Sequence, residues 1–280
     1  MRPVLHAVAG IALLSVMDAL IKGAVESLPV LQVALLRYLV GSAAILALAA
    51  WRRPGWPTRE ALLANGVRAI LVVITATSFF YALGRLPLAE TLILSFVSPA
   101  FTVLFAAILL GERVGPRILV SLVAGFAGVA VIVAGGLGGE GARETSLSGV
   151  AAVLVSAVGY SATNVLLRAR AQRDPLLVIV AIQNLVPAAI LAGPGWWVWR
   201  MPEGSGWLLL GAIGLLGVAG HLVLARAYAA AEAARLAALE YTALIWAVLF
   251  GFLAFGEVPG GFAWAGGALI LGSAWIVARR

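Results

Sequence analysis

Apolar stretches long enough to cross a membrane recur along this chain, separated by short breaks rich in charge, glycine and proline such as "WRRPGWPTRE", "GGLGGEGARETS", "RARAQRDP" and "RMPEGSG". Spanning roughly 30 Å of hydrocarbon takes about 20 helical residues. The pattern predicts ten spans, near residues 3–25, 28–50, 61–84, 87–110, 115–135, 147–168, 175–199, 206–228, 233–255 and 260–277. The first follows only Arg2, runs past the apolar core of a signal peptide and is followed directly by a second apolar segment, so it reads as a retained span. The predicted fold class is an all-α polytopic membrane protein.

The stretches are not independent of one another. "VLFAAILLGERVGPR" from Val103 returns as "VLFGFLAFGEVPGGF" from Val248, 145 residues on. "PVLQVALLRYLVGSAAI" from Pro29 matches "PLLVIVAIQNLVPAAI" from Pro175 at 146, and "GVAVIVA" from Gly128 matches "GSAWIVA" from Gly272 at 144. A near-constant spacing across three regions predicts a duplication: a first five-helix repeat over 1–137, an outer linker over 138–146, and a second repeat over 147–280. Five is odd, so the second repeat enters the membrane in the opposite sense. Ten helices as two inverted repeats can pack in two ways, each open to one side, around a site near the midplane.

Composition agrees with lipid as the solvent. The chain is 63% hydrophobic and 11% charged, with a mean hydropathy of +1.07, whereas soluble domains are about half apolar and a quarter charged. Its net charge of +7 is no nucleic-acid signal, because the basic residues crowd one set of loops. Arg52, Arg53, Arg59, Arg113, Arg117 and Arg170 are among those on one side; Lys22, Arg85, Arg143 and Arg200 lie on the other. Basic loops stay in the cytoplasm, which predicts both termini there. It also explains why "GERVGPR" keeps its arginines while the outward "FGEVPGG" has none. Trp51, Trp56, Trp196, Trp197, Trp199 and Trp207 fall at span ends, where indoles favour the interface. Cysteine is absent, which excludes disulfides and thiolate chemistry.

The segments "LLRYLVG" around Arg37, "LSFVSPAFTVLFAAILLGERVG" at 94–115 and "LARAYAAAEAARLAALEYTALIWAVLFGFLAFGEVPG" at 224–260 give the chain a clear likeness. It resembles the drug/metabolite transporter (DMT) superfamily, in its EamA-like ten-span branch, over essentially its whole length. Within that branch it is most similar to YddG-type amino-acid exporters. The resemblance implies a basket-like fold in the bacterial inner (plasma) membrane and export of amino acids, aromatic ones included. Other relatives of that branch carry vitamins, nucleosides or S-adenosylmethionine. One departure is that Ala243 and Leu244 stand in the second half where the first has Ser98 and Pro99.

An ionisable side chain at mid-membrane costs about 3 kcal/mol, so each usually faces a partner or a water-filled cavity. By helical rise, Asp18 and Arg37 lie roughly 10 and 13 Å below the outer surface, and Arg68 and Glu240 roughly 10 and 12 Å from the inner one. Two intramembrane pairs are expected: Asp18 with Arg37, and Arg68 with Glu240. Asp18 or Glu240 is also a candidate to take up a proton, which makes protons a candidate coupling partner. Lys22, one turn after Asp18, opposes that role for Asp18.

For a small zwitterion, uncharged polar and aromatic residues are the expected holders: Ser15, Tyr160 and Asn164 in the first and sixth spans, and Thr75, Ser78, Phe79 and Tyr81 in the third. Ser95, Ser98 and Pro99 mark the fourth, where proline frees a carbonyl. His221, Tyr241 and Trp246 lie in the eighth and ninth. No metal site is expected, since the only other histidine is His6, and no cofactor. Gly211, Gly214, Gly217 and Gly220 spiral around the eighth span, either for close helix packing or as a sliding surface.

A carrier is favoured over a pump because no GxxxxGK phosphate loop is present. An intramembrane enzyme would need a nucleophile beside a base, or a metal cluster, and no HExxH motif or histidine pair occurs. A channel is the remaining rival.

Overall fold

The computed structural model describes residues 2–98, 101–102, 104–105, 108, 116–137, 146–170, 173–230 and 242–278. Among them are ten α-helices: α1 (Arg2–Ser27), α2 (Val30–Arg52), α3 (Arg59–Leu83), α4 (Leu88–Ser95), α5 (Pro116–Leu137), α6 (Leu147–Arg170), α7 (Leu176–Trp197), α8 (Gly206–Ala230), α9 (Thr242–Phe255) and α10 (Gly261–Ala278). Six of them are long and apolar enough to cross a membrane, and shorter apolar helices account for others. The chain is an all-helical, multi-pass membrane protein.

Local chemistry sets the helix ends. Prolines 29, 87 and 175 immediately precede α2, α4 and α7, where a fixed φ starts a helix and the missing N–H costs nothing. Thr58 caps α3 by accepting the Ala61 N–H at 3.1 Å. At the far end of α2, Arg53 takes a left-handed φ of 47° and its N–H returns to the Ala49 carbonyl.

The pattern is inside-out relative to a soluble bundle. On α3, Leu63, Val67, Ile70 and Ile74 form an exposed apolar stripe at helical spacing, while Asn65 and Arg68 are buried with Ala61, Ala69 and Val72. Such a surface is stable only against hydrocarbon, and it keeps the polar groups for the interior. Trp56 and Trp197, 97% and 91% exposed, stand at the loop ends of α2 and α7.

The heaviest packing joins α1 to α8, α3 to α6, α2 to α7 and α5 to α10, with α4 against α9. Exchanging the two halves maps this set of pairs onto itself. Close approaches give the directions. Gly41 lies against Asn184 while Gly195 lies against Leu31 and Leu35, so α2 and α7 run antiparallel. Gly128 meets Gly266 and Ile270, and Gly135 meets Phe262, so α5 and α10 do too. Equivalent helices of the two halves therefore point opposite ways, as an odd number of spans per repeat requires. Gly10 and Gly220 let α1 and α8 approach to backbone contact, the small-residue packing that substitutes for a hydrophobic drive in lipid.

Candidate functional site

The fourth helix is interrupted just before Ser98. α4 ends at Ser95; Phe96 and Val97 close a tight turn with N–H bonds to Ile93 and Leu94, and the chain is helical again at Ser98. The Ser98 carbonyl is occupied by protein, accepting the Ser161 hydroxyl at 2.7 Å and the Thr102 hydroxyl at 3.1 Å. Pro99 lies outside the described residues, as do Glu240 and Tyr241.

Beside this break is a cavity of about 270 Å³ lined by α1, α2, α3, α4, α6, α7, α8 and the start of α9, close to the lower end of the roughly 300–1,000 Å³ usual for small-molecule sites. It brings together Ser15, Asp18, Thr75, Phe79, Ser95, Ser98, Tyr160, Asn164 and His221, together with Arg37 and Arg68. Three other candidates are elsewhere. Ser78 is half-buried on α3 away from the lining, Tyr81 bonds Ser148 at 3.4 Å under the Arg85 guanidinium, and Trp246 stacks on Phe250. Several hydroxyls satisfy their own helix: Thr75 donates to Leu71 and Ser95 to Thr91.

The expected ion pair of Asp18 with Arg37 is not formed. Both side chains line the cavity, but no ion pair within 4.0 Å joins them, because Arg37 is turned elsewhere. Its Nη2 meets His221 Nε2 at 3.1 Å and its guanidinium lies 4.2 Å from the Tyr38 ring centre. A guanidinium only donates, so Nε2 accepts and the imidazole proton is on Nδ1. Arg68 donates from Nη2 to Gln183 Oε1 at 2.8 Å, and its expected pairing with Glu240 falls outside the described residues. Gln183 was missed among the candidates. The repeat that pairs Pro29 with Pro175 sets it against Arg37, and that was the signal.

Lys22 has a task of its own. Its ammonium pairs with Glu257 at 3.1 Å and donates to the carbonyls of Leu83 and Leu86 at 3.1 and 2.7 Å. Glu257 also accepts the Leu88 N–H at 2.8 Å. With the two side chains 9% and 8% exposed, this buried cluster ties α1 to the α3–α4 turn and the loop after α9. It floors a separate hollow of about 470 Å³ that shares no lining residue with the central cavity.

At the opposite end Arg170 bonds Asp174 through Nε and Nη2, both at 2.9 Å, and pairs with Glu60, while Asn65 donates to Asp174 at 2.8 Å. The Arg170 guanidinium holds the Asp174 carboxyl below the usual carboxylate range, against the opposing effect of burial and with help from Asn65. The glycines of α8 pack: Gly214 against Val40, Gly217 against Arg37 and Met17, and Gly220 against Leu14, while Gly211 faces open space.

Paired antiparallel helices enclosing a mostly apolar cavity with a few convergent charges define a helical membrane protein built to hold a small solute between its halves. The EamA-like transporter family model matches residues 1–134 and again 147–279. The chain belongs to that family; it is a transporter of the DMT superfamily, not an enzyme. It is 32% identical to the pseudopaline exporter CntI of Pseudomonas aeruginosa, over 92% of this chain and 89% of that one. It is 30% identical to a riboflavin transporter of Rhizobium johnstonii over 76% and 69%. A solved crystal structure of a protein with 27% identity superposes on 99% of this chain and 98% of its own, with a TM-score of 0.69.

Proposed function

We propose that the chain is a secondary exporter of small metabolites in the bacterial inner membrane, with amino acids, aromatic ones included, as the first substrate class. It works by alternating access between the halves 1–137 and 147–280, joined at 138–146, with both termini cytoplasmic. The observation that carries the reading is the central cavity, which the first half lines with charged and polar groups and the second with uncharged polar ones. The family model's two separate matches support the division. On this reading the Lys22–Glu257 cluster is the latch that closes the outer end, and a relative described as an exporter supports the outward direction. Asp18 or Glu240 is the proton carrier if transport is proton-coupled.

Phe79, Phe80, Phe96 and Tyr160 in the lining suit a flat aromatic group. They also favour a second reading, a vitamin such as riboflavin, the cargo of a relative. Purified protein in liposomes loaded singly with amino acids, nucleosides and vitamins decides between them. Saturable counterflow of an amino acid is expected; a vitamin alone would shift the substrate class, and linear, non-exchanging flux would indicate a channel.

A further inference from the structure

Two guanidiniums face one carboxylate in the cavity. Among the described lining residues the charged ones are Asp18, Arg37 and Arg68, so the described lining is positive whether Asp18 is ionised or protonated. Both arginines are deeply buried, 4% and 3% exposed. Neither is satisfied: Arg37 Nε, Arg68 Nε and Arg68 Nη1 have no hydrogen-bond partner. Native interiors pair nearly all such donors, and an orphaned N–H on a charged group is the costliest kind to leave. The two cations act on one region, since both lie within electrostatic range of Tyr38 and His221. Neutral partners hold them in place without cancelling their charge, Gln183 for Arg68 and His221 for Arg37.

We propose that Arg68, braced by Gln183, and Arg37 form an anion subsite that takes a carboxylate group of a solute bearing net negative charge. The inference rests on the carrier reading of the same cavity and narrows it to acidic solutes. A net-neutral amino acid would leave the lining one positive charge in excess with Asp18 ionised; an acidic one balances it. The apolar wall of Ile11, Leu14, Leu92 and Phe96 then meets the remainder of the solute.

The test is ligand-induced thermal stabilisation of the purified full chain, comparing aspartate with asparagine, glutamate with glutamine and succinate with succinamide, plus inorganic phosphate. Each acid is expected to stabilise more than its amide. In Arg68→Gln the apparent affinity for the acids should fall at least about tenfold, the scale of one charge-assisted bond. Gln183→Glu keeps the bond to Arg68 but neutralises it, so the acid preference should vanish in a protein that still folds. Equal response to acid and amide would show water alone serving these donors and overturn the proposal. So would an acid preference surviving both variants, or an Arg68-dependent response to phosphate only, which would make the anion a phosphoryl group. Failure of counterflow for every solute, with the Arg68-dependent acid preference intact, would sink the carrier reading and leave the subsite standing.

Discussion

Glu257→Gln removes the counter-ion from a largely buried lysine. Lys22 keeps its two carbonyl acceptors at 3.1 and 2.7 Å but loses the carboxylate at 3.1 Å, and the new amide has one oxygen to share between the ammonium and the Leu88 N–H. Breaking a buried pair from one side costs about 3–5 kcal/mol. Because two of the three ammonium donors stay satisfied, the lower end, about 3 kcal/mol, applies. If the cluster exists only when the outer end is shut, that energy falls on one conformation and shifts the open-to-shut ratio by about 100-fold. The absence of native cysteine makes this measurable. Ala76→Cys puts a single thiol in the cavity wall on the outer half of α3, and its labelling by an impermeant maleimide added outside reports outward opening. Glu257→Gln should raise the labelling rate by one to two orders of magnitude. Lys22→Met with Glu257→Gln, which leaves no orphan charge, should recover part of the lost stability. A labelling rate unchanged within twofold in a folded Glu257→Gln protein would refute the latch.

Further outcomes test other parts of the structure. Gly128→Ala drives a Cβ to 2.6 Å from the Gly266 carbonyl oxygen, so α5 and α10 must separate; thermal unfolding in detergent should show a loss of about 1–3 kcal/mol, whereas Gly193→Ala, with nothing within 4 Å, should lose none. Asp174 has its carboxyl depressed on folding, so it stabilises above the ordinary value of 3.8 and the benefit disappears as pH falls through the lower folded value. Asp174→Asn should therefore melt below wild type at pH 7, with the gap closing below about pH 4. Asp18→Asn should flatten the pH dependence of counterflow, and an unchanged profile would remove Asp18 as the proton carrier. Gly217→Leu pushes into Arg37 and Met17, so it should weaken solute binding itself; normal binding with lost turnover would assign this face to motion instead.

What the sequence made legible is what a period and a spacing can carry. Helix positions followed from apolar length: α2 at Val30–Arg52 and α6 at Leu147–Arg170 lie within a few residues of the expected spans. Depth in the bilayer was also readable, which is why Asp18, Arg37 and Arg68 were expected inside. Rotation about the helix axis was not. Arg37 is one residue from Tyr38 and its guanidinium can swing either way; only the packing of α8 shows that His221 receives it. The Lys22–Glu257 bond joins positions 235 apart through a loop whose sequence registers mainly as lacking arginine, so no local signal paired them.

The same register carries one more piece of logic. At a spacing of 146, Ser15 aligns with Ser161, Asp18 with Asn164, Lys22 with Arg168 and Arg37 with Gln183. The ends keep their base, but in the cavity Asp18 and Arg37 of the first half align with the neutral amides Asn164 and Gln183 of the second, all four lining it, while Arg68 aligns with Gly214. A duplicated scaffold needs near-equal halves for its two packings to have similar energy. A binding site needs the reverse, since two symmetric sets of charges would offer a solute two competing orientations. Replacing Asp by Asn and Arg by Gln in one half keeps size and hydrogen bonding while removing charge. The charged groups are then carried on α1, α2 and α3 of one half, so under the proposed alternating access a bound solute would keep the same partners while the other half moves across it.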